Sequence, residues 1–148
     1  MRHIFPRIPR LPLALMLIAS LPFFYGAAMA LGLPAWDLLA DTVPNWSHGP
    51  DLMKDYGRLL LALMSGVYLA FATLARARLA PVAYLPALLP ALWAFVWLTD
   101  LTSLLYGLLA LLLLDAFYWQ LKLSPRWWLG ARCLITGLSA LSILAARA

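Results

Sequence analysis

The stretch LLALLLLDAFYWQLKL, residues 108–123, decides how this chain is read. Seven apolar residues lead to Asp115, and an aromatic-rich run separates that carboxylate from Lys122. Extended back to residue 101, the segment reaches the roughly 20 residues that a helix needs to cross a bilayer. Composition says which solvent it meets. Of 148 residues, 65% are hydrophobic and only 11% charged, and the mean hydropathy is +0.87. A soluble domain keeps about a quarter of its residues charged. The chain therefore reads as an all-α integral membrane protein, with Asp115 inside the membrane.

Working outward, five runs of spanning length emerge, 11–33, 57–75, 82–98, 101–123 and 128–146. Together they make one membrane domain over residues 1–148, a five-helix bundle. The third run carries Pro86 and Pro90, which a membrane helix tolerates when neighbours satisfy the freed backbone groups. Thr99 and Asp100 mark a tight turn before the fourth run, with Asp100 as its N-cap. Segment 34–56 is the only sizeable loop, and its prolines and glycine argue against one continuous helix there.

The net charge of +5 does not indicate nucleic acid, because the cations sit in short clusters between apolar runs. Arg2, Arg7, Arg10, Arg76, Arg78, Lys122, Arg126 and Arg132 fall on one side if the N-terminus is inside. Lys54, Arg58 and Arg147 fall on the other, with Asp37, Asp41, Asp51, Asp55 and Asp100. Basic residues favour the cytoplasmic side, so the expected topology is N-in and C-out, multi-pass in a bacterial inner (cytoplasmic) membrane with 34–56 outside. Trp36, Trp46, Trp93 and Trp97 then lie near the outer boundary, and Trp119, Trp127 and Trp128 near the inner one, as aromatic belts. The basic start and the Ala28-Met29-Ala30 triplet also fit a cleavable signal peptide. The spanning length of the run and its internal Pro22 favour a retained helix.

Catalytic and metal chemistry find little support. His3 and His48 are the only histidines, and the expected topology separates them across the membrane. Ser47, His48 and Asp51 crowd one loop, without the rigid elements that a catalytic triad requires. No phosphate loop or cysteine pair occurs, Cys133 being the single cysteine. No cofactor is expected. Small residues recur at Ala62, Gly66 and Ala70, and again at Cys133 and Gly137 beside Thr136 and Ala140. Such stripes let helix backbones approach closely, and packing within the chain is the simplest use for them.

The pattern resembles the transmembrane protein 69-like family of five-span bacterial and mitochondrial membrane proteins. The likeness is carried by Pro22 and Phe23 in the first span, and by Tyr56 and Gly57 with Ser65, Gly66 and Val67 in the second. Asp115 with Pro125, Trp127, Trp128, Arg132 and Thr136 completes it. Where the family has Trp-Gly after the valine, this chain has Leu69 and Ala70. The resemblance implies the five-span fold and brings no activity with it.

Asp115 precedes Lys122 by seven residues, which puts it about 10 Å from the inner end of its helix. Arg132 follows Arg126 by six, about 9 Å up the antiparallel neighbour. Matched depth and the short KLSPR connection predict an intramembrane ion pair, N···O within about 4 Å, with the guanidinium offering its fork. Tyr118 and Trp119 lie at i+3 and i+4 to shield it. The expected function is a non-enzymatic accessory, assembly or structural subunit, embedded in the lipid bilayer and packed against a larger membrane complex. The rival is a small transporter or channel using Asp115 and Arg132, alone or as an oligomer.

Overall fold

A computed structural model describes residues 8–32 and 49–147 as an all-α bundle. His3, His48, Ser47, Trp36, Trp46, Arg2 and Arg7 lie outside the described residues, as do Asp37 and Asp41. The helices are α1 (Arg10–Ala30), α2 (Gly49–Ala72), α3 (Ala80–Ala87), α4 (Leu89–Val96), α5 (Leu101–Gln120) and α6 (Trp128–Ala145). Three of them, α1, α5 and α6, are each long and apolar enough to cross a membrane. This is a polytopic membrane protein by length and composition.

Helix α2 is the hub, packing against α1, α3, α4 and α5, while α6 closes the bundle between α1 and α5. It begins eight residues before the expected start at 57, in the segment read as a loop. Pro50 is tolerated because it falls in the first turn, where its missing N–H has no partner to lose. The added turns are held by Asp51–Lys54 and Asp55–Arg58 pairs at i, i+3. The apolar run marked the later turns of the helix, not its whole length.

The third expected span is two helices broken at Leu88. Pro90 has no N–H for the carbonyl of Pro86, so the ladder fails there. Ala91 N donates instead to Ser65 Oγ at 2.8 Å, a hydroxyl reaching across from α2. Arg58 Nη2 donates to Leu98 O at 2.7 Å just past the end of α4. Asp100 and Ser103 form a capping box on α5, with Ser103 N donating to Asp100 Oδ1 at 2.8 Å. Those hydrogen bonds hold the Asp100 carboxyl below its ordinary range.

Among the described residues, nothing packs closely on the small-residue stripe. Ala62, Gly66 and Ala70 are exposed, as are Cys133 and Gly137, and a Cβ added at Gly66 or Gly137 would meet nothing within 4 Å. The buried face of α2 runs instead through Met53, Gly57, Leu61, Met64, Ser65, Tyr68 and Ala72. Successive helical residues are turned by about 100°, so a stripe one residue away from Leu61 and Ser65 faces outward. The close approaches lie at other glycines. A Cβ on Gly57 would overlap Leu104, one on Gly26 would overlap Met53, and one on Gly107 would crowd Trp93 and Leu61.

Two substitutions separate these faces. Gly57→Leu should lower the thermal midpoint in detergent by the equivalent of about 1–3 kcal/mol or prevent folding, the range for overpacking a filled core. Gly66→Leu in the isolated chain should stay within about 0.5 kcal/mol. Equal losses would return the packing role to the small-residue stripe.

Candidate functional site

Asp115 sits five residues before the end of α5 and Arg132 four residues into α6. Between them α5 ends in a Schellman turn, in which Leu123 N donates to Tyr118 O and Lys122 N to Trp119 O, each at 3.0 Å. The position that usually holds glycine is Lys122, at φ 58°. Leu123 is buried beneath the turn, and Trp128 N donates to Pro125 O at 3.0 Å as α6 begins. This compact reversal brings the two charged residues to one level.

The structure places them in contact. Arg132 Nε lies 3.0 Å from Asp115 Oδ2, with Asp115 0% and Arg132 4% exposed. The guanidinium engages through Nε and not through the expected fork, and its Nη2 is buried without a hydrogen-bond partner among the described residues. The other carboxylate oxygen is taken by aromatic donors. Trp128 Nε1 donates to Oδ1 at 2.6 Å, and the Tyr68 hydroxyl donates to the same atom at 2.9 Å. Leu111 O lies 3.1 Å from that hydroxyl, which has one hydrogen, and the charged carboxylate is the stronger acceptor. Three donors on two oxygens, one of them cationic, fit an ionised carboxylate.

Around this core the aromatic rings form a wall. Tyr118 stacks on Tyr68, with centroids 4.9 Å apart and planes at 4°. Its own hydroxyl turns away to Ala83 O at 2.5 Å, tying α5 to α3. Phe71 meets Trp128 edge-on at 5.3 Å. Trp119, expected to shield the pair, is 47% exposed and looks outward. Trp128, assigned to an interfacial belt, is instead a ligand of the carboxylate. It precedes Arg132 by one turn and so shares its face, which was the available sign. Tyr68 was missed altogether. A tyrosine deep in an apolar run needs a partner for its hydroxyl, and that need was its only mark.

Four other motif positions, Pro22, Phe23, Tyr56 and Gly57, lie at a second joint. Phe23 and Tyr56 meet edge to face at 5.5 Å, and the Tyr56 hydroxyl donates to Ala19 O at 2.5 Å, beside the interruption made by Pro22. Gly57 admits Leu104 next to them. Trp127 lies half-buried against Trp128 at 5.9 Å. Trp93 donates through Nε1 to Ser103 O at 3.0 Å, while Trp97 is exposed. Among the described residues no three His, Cys, Asp or Glu side chains gather as a metal site would require. Chemically, the Asp115 group can hold three helices to one another; its carboxylate is enclosed on all sides by donors and rings.

Removing single donors should grade the site. Tyr68→Phe and Trp128→Phe should each cost about 1–2 kcal/mol of unfolding free energy in detergent, the upper range for hydrogen bonds inside membrane proteins. Trp119→Phe should change stability by less than about 0.5 kcal/mol. A Trp119 effect as large as that of Trp128 would contradict the assignment of donors. In comparisons with known proteins, no family model, curated protein or solved structure matches the chain.

Proposed function

We propose that this chain is a non-enzymatic, five-crossing subunit of the bacterial inner membrane, one that packs against or helps assemble a larger membrane complex. The observation that carries the reading is the pair of small-residue faces left open on the outside of the bundle. Ala62, Gly66 and Ala70 on α2, and Cys133 and Gly137 on α6, offer close backbone approach that no helix among the described residues uses. The charged pair supports the same view, since it is consumed in joining α2, α5 and α6. In the five-crossing arrangement α2 contributes the second crossing, and α3 with α4 the third. Tyr68, Asp115 and Arg132 then meet at the end of the bundle that carries Arg76, Arg78, Lys122 and Arg126, which supports an inner location for that end and N-in, C-out orientation. Kinship with the transmembrane protein 69-like family is proposed on the motif residues alone, several of which sit at the two helix joints.

Extraction in mild detergent, followed by size analysis and identification of accompanying chains, tests the reading. The expected result is a defined complex that dissociates in Gly66→Leu or Gly137→Leu while the thermal midpoint of the subunit itself is unchanged. A lone monomer with no reproducible partner would contradict it. Solute flux in proteoliposomes that vanishes in Asp115→Asn would transfer the function to a transporter.

A further inference from the structure

Between α1, α2 and α6 lies a cleft of about 210 Å³. Its walls are mostly apolar, with Ala19 and Ser20 from α1, Leu63 from α2 and Ile135 and Ser139 from α6, and Arg132 borders it. Leu15 and Leu63 at its rim are largely exposed, so the cleft opens sideways to the membrane. Small side chains at Ala19, Ser20 and Ser139 leave the room. A cavity of about 150 Å³ with aliphatic walls already admits benzene, so this one has space for a length of hydrocarbon.

Its polar end is specific. Arg132 spends Nε on Asp115, and its Nη2 is buried with no acceptor among the described residues. The Asp115 carboxylate already balances the guanidinium charge, so an anion entering here would add an uncompensated charge in a low-dielectric site. A neutral acceptor avoids that cost. From Arg132 to Ser139 is seven residues, about 10 Å along the helix, and over that length the cleft offers hydrocarbon contact. Arg132 itself lies about 6 Å inside the start of α6, near the level where headgroups give way to acyl chains.

We propose that this cleft holds an acyl chain of a bilayer phospholipid, and that the Arg132 guanidinium turns toward it so that its covered Nη2 donates to the ester carbonyl of that chain. The site lies inside the bundle and is separate from the outer small-residue faces, so it stands whether or not the subunit has a protein partner. The full chain, delipidated in detergent, is titrated with diacyl phosphatidylcholine and with its dialkyl ether analogue, which keeps the headgroup and chains but lacks the carbonyls. Retained lipid is counted by native mass spectrometry, and the thermal midpoint is followed in parallel. The diester should bind at least about tenfold more tightly than the diether, the scale of one hydrogen bond to a charged donor. Ser139→Leu, which fills the floor, should abolish retention; Leu63→Trp, which caps the rim from an exposed position, provides the same test should the first variant fail to fold. Equal binding of ester and ether lipids, retention undiminished in a filled variant, or a dimeric mass with no lipid bound would each overturn the proposal.

Discussion

The rest of the bundle depends on one requirement, that the fully buried Asp115 keep a positive partner. A carboxylate at the centre of a membrane helix costs about 2.5–3.5 kcal/mol on insertion scales, and less off-centre, where Asp115 lies. Three donors from two other helices offset that cost, and in doing so they fix where those helices go. Arg132 and Trp128 set the register of α6 against α5, and Tyr68 draws in α2. Apolar packing alone could not choose this arrangement so sharply, because lipid tails are as apolar as leucine. The polar group supplies direction where dispersion supplies only contact.

The same logic runs through the joints of the bundle. At three joints near a proline or a helix end, a side chain from another helix hydrogen-bonds the backbone. Ser65 serves Ala91 beside Pro90, Tyr56 serves Ala19 beside Pro22, and Arg58 serves Leu98. In hydrocarbon no water could do this work. Neighbouring side chains press against backbone at Gly26, Gly57 and Gly107, whereas Gly66 and Gly137, where small residues repeat most regularly, meet no such contact among the described residues.

That contrast shows what the sequence could and could not convey. The apolar runs located α1, α5 and α6 to within a few residues, since bilayer thickness dictates their length. Matched depth across a short turn was enough to bring Asp115 to Arg132. The start of α2 was hidden, because its first turns are charged and lie beyond the apolar run. The break at Leu88 was marked by its prolines, but nothing local pointed to Ser65 as the repair. Trp128 was obscured by a sound general expectation about interfacial tryptophans, and Tyr68 by lying 47 residues from the carboxylate it serves. The small-residue stripe misled because repetition signals a possible close approach without saying which neighbour makes it.

The central claim is that the buried pair acts as a clamp, and a double-mutant cycle on Asp115 and Arg132 measures that most directly. Reversible unfolding in detergent would be followed for Asp115→Leu, Arg132→Met and the two combined. The clamp predicts that each single change costs about 3–5 kcal/mol, because it strands a buried charge, and that the double variant recovers most of the loss. Strictly additive losses, with the double variant as unstable as the sum of the singles, would contradict it.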